Sequence, residues 1–132
     1  MSSAGEALRA AMRATLTDDA VLSAALNGVF LGPAVRASPP FAQIAETLSS
    51  DWSTKDARGR EVRLAVLVRD ASETPARVMT LAEAVETAVL AMPRDVDGWR
   101  IASLVFVRSR VAGEAPGRWL ASVEFRARVL EI

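Results

Sequence analysis

The stretch EVRLAVLVR (residues 61–69) decides the fold, because its apolar and charged residues alternate with a period of two. Successive side chains of a strand point to opposite faces, so one face here collects apolar residues and the other collects charges. The apolar set is Val62, Leu64, Val66 and Val68. We therefore predict a strand with one buried face.

Two further stretches alternate in the same way, at residues 99–111 and 118–130. Pro116-Gly117 between them suits a type II turn, so the pattern predicts a long antiparallel hairpin. The predicted core side chains of this hairpin are Ile101, Val105, Val107, Trp119, Ala121, Val123, Phe125, Ala127 and Val129. Two weaker strands are predicted earlier, at residues 29–31 and 41–48, separated by a proline-containing loop at 34–40.

Helices are predicted at the N-terminus and in the middle of the chain. Ser3 and Glu6 are spaced as a capping box before an apolar stripe, and the acidic pair Asp18-Asp19 is placed to start a second, shorter helix. Thr74-Pro75 is placed to start a helix that runs to Met92, although Thr80 is an alternative first residue.

This order of elements predicts a single α+β domain over residues 1–132. We expect a mainly antiparallel sheet of about four strands, with helices packed on one face. The helix at 74–92 is expected to cover the apolar face of the strand at 61–69.

The second face of the predicted sheet mixes large apolar residues with charges. Alternation places Leu67, Leu104, Phe106, Leu120 and Leu130 there. A sheet covered on one side should be polar on the other, which favours a subunit interface. Scattered surface leucines are the alternative interpretation.

The segment SSDWSTKDARGR (residues 49–60) is polar and is predicted to be a long, mobile loop. It contains Trp52, a residue type that often anchors interfaces. Two interpretations remain open: Trp52 contacts a partner, or it folds back on its own domain.

The chain lacks several of the residue types that commonly form catalytic and metal sites. The chain has no cysteine, histidine or tyrosine, so it cannot by itself form a Ser-His-Asp triad or a histidine-ligated zinc site. The stretch DVDG (residues 95–98) begins like a calcium loop, but Trp99 occupies a ligand position, and a turn is the better interpretation. We predict no enzymatic activity, no cofactor and no bound metal.

Composition limits the partners. The 132 residues carry sixteen basic and sixteen acidic side chains, and this balance argues against a dedicated DNA-binding domain. The N-terminus lacks the apolar run of a signal peptide, and no stretch approaches the roughly 20 apolar residues of a membrane span. We expect a soluble protein without membrane contact.

The segment DWSTK (residues 51–55), followed by RGRE (58–61) and the strand to Val68, resembles the tail-completion, or tail-terminator, family of long-tailed phages. The version carried by gene transfer agents is the most similar. The likeness extends over nearly the whole chain, through the Pro39-Pro40-Phe41 stretch, the helix at 74–92 and the closing hairpin.

The resemblance implies a structural protein of a virion or gene transfer agent particle, assembled in the bacterial cytoplasm. It implies a homohexameric ring that ends the tail tube and meets both the tube protein and the head connector, while DNA passes through unread. The interface residues we expect are Asp51, Trp52, Lys55, Arg58, Arg60, Phe106 and Leu120. The alternatives are another neck or connector component, or a monomeric ligand-binding α+β domain.

Overall fold

A long central strand organises the sheet, as the alternating pattern predicts. In the computed structural model, which describes residues 2–34 and 36–132, this strand is Gly59–Ala71, named β4. Val62, Val66 and Val68 on it are fully buried, as predicted. Val35, in the predicted loop at 34–40, lies outside the described residues.

Three helices and seven strands make up the described part of the chain. In order they are α1 (Ala4–Asp18), α2 (Ala20–Ala25), β1 (Val29–Leu31), β2 (Phe41–Ile44), β3 (Leu48–Asp51), β4, α3 (Ala76–Leu90), β5 (Asp95–Val96), β6 (Trp99–Ala115) and β7 (Arg118–Glu131).

The strand order is β1-β2-β4-β7-β6-β5, and β3 also pairs with β4. Because β7 occupies the other side of β4, β3 lies on the same side as β2. All pairs are antiparallel except β1 with β2. The α+β class is therefore confirmed, whereas the expected four strands are too few and the sheet is mixed.

The helices begin where their caps predict. Ser3 Oγ accepts a hydrogen bond from the Glu6 N–H at 3.2 Å, and Asp19 Oδ1 accepts from the first turn of α2. Helix α3 starts at Ala76, directly after Pro75, rather than at Thr80. It packs on β4, β6 and β7, so that its buried face, including Val78 and Val85, closes the core.

The faces predicted for β6 are wrong from Leu104 to Val107, whereas Arg108 and Arg110 lie on the outer face as predicted. The register against β7 shifts between Ile101 and Ser103, and again between Phe106 and Arg108. A β-bulge adds one residue, so the side chains that follow it change face. Phe106, predicted on the outer face, lies opposite the buried Phe125 on the helix side, and Val105, predicted in the core, lies opposite Arg126.

Leu104 and Val107 were also placed wrongly. Leu104 lies opposite Ala127 and packs against the core, whereas Val107 is the extra residue at the second shift and is exposed.

The predicted mobile loop at residues 49–60 is largely a hairpin. Strand β3 pairs with residues 60–63 of β4, from Asp51 opposite Arg60 to Leu48 opposite Arg63. Only residues 52–58 connect the two strands. The predicted strand at 41–48 is correspondingly shorter and ends at Ile44.

A pair of charges joins the end of β4 to α3. Asp70 is buried, and its carboxylate accepts two hydrogen bonds from the Arg77 guanidinium, at 2.6 and 2.9 Å. The bonds from Arg77 lower the pKa of Asp70 below its ordinary value of 3.8. The charged form is thus favoured in the folded state.

We expect Val66→Asp to destabilise the domain by about 3–5 kcal/mol, because it buries an unpaired charge at the centre of β4. Thermal unfolding measures this. Val21→Asp, the same change at a position of α2 that is 63% exposed, is the control and should leave the melting temperature nearly unchanged. A stable, folded Val66→Asp variant would contradict the assigned strand faces.

The Asp70–Arg77 pair should also make stability depend on pH. Because the folded pKa of Asp70 is lowered, its contribution is complete above the ordinary value of 3.8 and is lost as the pH falls through the lowered value. Replacing Arg77 with methionine leaves the carboxylate buried without its cation, which raises its pKa, so the variant should gain stability on mild acidification instead. Melting curves between pH 3 and 7 test the reversal, with Arg63→Met as the control.

Candidate interaction surface

The side of the sheet that faces away from the helices is rich in arginine. Its residues on β4, β6 and β7 are those that alternate with the buried ones, and we call this side the outer sheet face. Its charged residues are Arg63, Arg69, Arg100, Arg108, Arg110, Arg118, Arg126 and Arg128, with Glu61, Glu114, Glu124 and, on the neighbouring short strand β5, Asp95. Eight positive and four negative charges leave an excess of four, in a chain whose formal net charge is zero.

Two of these arginines face each other across neighbouring strands. Arg63 of β4 lies directly opposite Arg126 of β7. Like charges in that position destabilise a sheet. Glu61 offsets part of this repulsion, since it lies 3.8 Å from both Arg126 and Arg128. The Nε atoms of Arg126 and Arg128 are nevertheless buried without a hydrogen-bond partner among the described residues.

Two further ion pairs lie on the same face. Arg108 donates two hydrogen bonds to Glu124, at 2.6 and 3.3 Å, and this contact raises the pKa of Arg108. Arg69 donates to Glu114 at 3.2 Å. Since these pairs are largely solvent-exposed, each contributes little to stability. They orient the guanidinium groups rather than hold the fold together.

Apolar side chains are interspersed among the charges. Leu67, Leu120 and Leu130 are half-buried on this face. Trp52 joins them, with the Arg128 guanidinium 5.6 Å from its ring centroid, within cation–π range. Trp52 is half-buried and lies away from the core. It therefore folds back on its own domain while still presenting part of its ring to solvent.

The hairpin between β3 and β4 fixes the position of Trp52. Ser53 Oγ accepts from the Gly59 N–H at 3.0 Å and donates to Asp51 at 2.6 Å. Arg60 also donates to Asp51, at 3.2 Å. The Ser53 hydroxyl, with the nearby arginines, lowers the pKa of Asp51. The carboxylate is thus kept charged as the centre of a small hydrogen-bonded turn.

The sequence-predicted interface residues divide into three places. Asp51, Trp52 and Arg60 belong to the hairpin, and Lys55 is exposed in its connecting turn. Arg58 turns toward the end of β7, 3.6 Å from Glu131 and 5.9 Å from the Trp99 ring centroid. Leu120 lies on the outer sheet face.

Phe106 does not share a surface with Leu120. It lies on the helix side, where its ring packs edge-to-face on Phe125 with centroids 6.3 Å apart. It remains 38% exposed because β6 is the outermost long strand. Its predicted grouping with Leu120 is therefore wrong, although its exposure keeps it available to a partner.

Sequence reasoning missed the open edge of β6. Residues 105–110 form an unbroken exposed run, VFVRSR, beside which no further strand lies in the described part of the chain. The alternation of apolar and polar residues could not reveal this edge, because side chains on both faces of an edge strand can be exposed with or without alternation. The strand order is the decisive information, and it depends on long-range pairing.

One open groove, of about 480 Å³, lies between α1 and α3. Its walls are mainly alanines, with Asp18, Asp19 and Asp95 at the rim. Asp19 caps α2 and Asp95 is paired with Arg100 at 3.0 Å, so two of the three carboxylates already have partners. Among residues 2–34 and 36–132 no group of three metal-ligand side chains converges, and no helix there is long and apolar enough to cross a bilayer.

Comparison with solved structures finds chains with a similar fold. A chain from the structure titled "Virion of native gene transfer agent (GTA) particle" superposes with a TM-score of 0.84. The two share 25% sequence identity over 98% of this chain and 99% of that one. No curated protein matches the sequence.

The sequence model of the family described as "Tail completion protein gp17" matches residues 10–130. This range includes the hairpin that carries Trp52, all seven strands and α3, so the match concerns the whole fold rather than one motif. It confirms the resemblance noted from the sequence. The chain belongs to the tail completion protein gp17 family.

Proposed function

We propose that this protein is the tail terminator of a phage-like particle. Copies assemble into a ring, expected to be hexameric, on the head-proximal end of the tail tube. The ring stops the growth of the tube and offers a surface to the head connector. DNA passes through the ring without being read, and the protein performs no chemistry.

The observation that carries this proposal is the match to a chain of a gene transfer agent virion, nearly end to end on both chains. Agreement over 98% of the length leaves little of this chain for an unrelated additional role. The family description, a tail completion protein, points to the tail of such a particle. We therefore place the protein in the tail of a virion or gene transfer agent.

The surfaces suit a subunit with several neighbours. A closed ring needs two different complementary patches on each subunit. The outer sheet face, with its excess of four positive charges, and the open edge of β6 are distinct surfaces with distinct chemistry. Arginine and tryptophan are enriched at protein interfaces relative to the rest of the surface.

Another neck or connector component is the alternative within the same particle. It also predicts an assembly, but one that binds the head and leaves tube length unchanged. A monomeric ligand-binding domain is the alternative from another class, and it predicts a monomer at high concentration.

The experiment that tests the proposal combines sizing with electron microscopy. The purified protein, alone and mixed with tail tubes, should give a ring several times the 14.1 kDa chain mass, located at one end of each tube. Tube protein assembled in its presence should stop growing, whereas tubes assembled without it should lengthen. A monomer under all these conditions, or rings that leave tube growth unchanged, would contradict the proposal.

We expect Trp52→Ala to weaken assembly by about 2 kcal/mol or more while leaving the melting temperature of the subunit nearly intact. The reason is that the ring of Trp52 lies on the outer sheet face against Arg128, away from the core. Sizing over a concentration series measures the assembly, and thermal unfolding measures the fold.

The matched control for Trp52 is Trp99→Ala. Trp99 is only 2% exposed, so its removal should lower the melting temperature sharply. If Trp52→Ala unfolds the subunit as Trp99→Ala does, or if it leaves assembly unchanged, Trp52 is not an interface anchor.

A further inference from the structure

Among the open edges of the sheet, those of β6 and β3 lie on opposite sides. On one side β6 has no strand beyond it from Ser103 to Ala115, since β5 pairs only with Trp99 and Arg100. On the other side β3 pairs with β4 alone, within the described residues. An open edge presents unpaired backbone N–H and C=O groups that can pair with another chain.

Exposed apolar residues are concentrated on these edges. Val105, Phe106 and Val107 of β6 are each 37–38% exposed, and Leu48 of β3 is 72% exposed. Proteins commonly protect such edges with lysine or proline, yet β6 contains neither. Its bulges and the charges of Arg108 and Arg110 are the protective features it has, and the residues on either side of Val107 remain in regular register.

The directions of the two edges match. Strand β6 runs parallel to β4, because both are antiparallel to β7. Strand β3 is antiparallel to β4, and is therefore antiparallel to β6. Rotation about an axis parallel to the strands preserves strand direction. Copies related by such a rotation bring β6 of one subunit beside β3 of the next in the antiparallel sense.

We propose that the open edge of β6 pairs with β3 of a second copy, so that the sheets of the ring join into one closed sheet. The inference deepens the ring proposed above and rests on it. This pairing would cover the open edge of β3 and part of the open edge of β6, which otherwise present unpaired backbone groups.

The register follows from one straight row across the sheet. Leu48 lies opposite Arg63, Arg63 opposite Arg126, and Arg126 opposite Val105. Extending this row places Leu48 of the second copy beside Val105, an apolar pair. In the same register Ser50 of the second copy, which lies on the same face of β3 as Leu48, falls opposite Ser103.

Pairing of β6 with itself in a twofold dimer fits less well. An antiparallel register centred on Arg108 or on Ser109 places an arginine of one copy directly opposite an arginine of the other. Like charges on facing strands are destabilising. The same pairing would also close a dimer and leave both β3 edges open.

Disulfide trapping tests the pairing, and the chain has no cysteine of its own to interfere. In the double variant Leu48→Cys/Val105→Cys the two positions are separated within one subunit by three strand spacings, about 14 Å. Disulfide bonding needs Cα atoms within about 7 Å, so no bond can form inside a subunit. Oxidation of the assembled ring should give a ladder of covalent multimers on a denaturing gel, ending at the size of the ring.

The control is Val21→Cys/Leu48→Cys, which pairs β3 with an exposed position on α2 and should give no ladder. A ladder from both double variants, or dimers from Val105→Cys alone, would overturn the pairing. A ring that forms normally but yields no ladder overturns the edge pairing and leaves the terminator function standing. If the wild-type chain forms no ring even with tail tubes, the proposed function itself fails, and the pairing with it.

Discussion

The structure depends on the pairing of β4 with β7, which runs without interruption through thirteen residue pairs, from Gly59 opposite Leu130 to Ala71 opposite Arg118. A shift of one residue would turn every side chain of a strand to the other face. The burial of the valine-rich side under α1 and α3 therefore fixes the register. The same register determines which side chains lie on the outer sheet face, and it places Arg63 unfavourably opposite Arg126. The core and the charged surface are thus two consequences of one ladder.

The sequence predicts this ladder well because both strands are regular and the helices cover one face. The sequence predicts β6 poorly, because a bulge arises from how two strands pair. The alternation of apolar and polar residues along one strand does not show where a bulge will form. Phe106 and Leu120 were assigned to one surface for this reason and lie on opposite faces. Strand β3 was missed because Leu48-Ser-Ser-Asp51 has little β-propensity, and its pairing with β4 supplies the structure instead.

The segment that carries the family resemblance, residues 51–61, includes the turn that joins β3 to β4, and the contacts of this turn explain several of its residues. Gly59 approaches the Trp52 carbonyl so closely that a Cβ atom there would collide with it. Ser53 ties the Gly59 N–H to the Asp51 carboxylate, which in turn holds Arg60. These residues serve to close a hairpin and to place Trp52 beside Arg128. The sequence predicts an interface at this hairpin, and that stays a prediction; it did not predict the ordered turn, because the turn depends on hydrogen bonds between residues six to nine positions apart.

The excess of four positive charges on the outer sheet face has a consequence for how the protein meets others. With no net charge, the rest of the molecule carries the balancing negative charge, so the subunit is a strong electric dipole. A dipole feels little net pull from a distant ion but rotates in its field. The subunit would therefore turn its sheet toward an acidic surface before touching it, over a range of about one Debye length, roughly 8 Å at physiological ionic strength. The main electrostatic effect on its encounters would thus be to orient the subunit rather than to attract it. Added salt would slow correct docking without changing the shape of either partner.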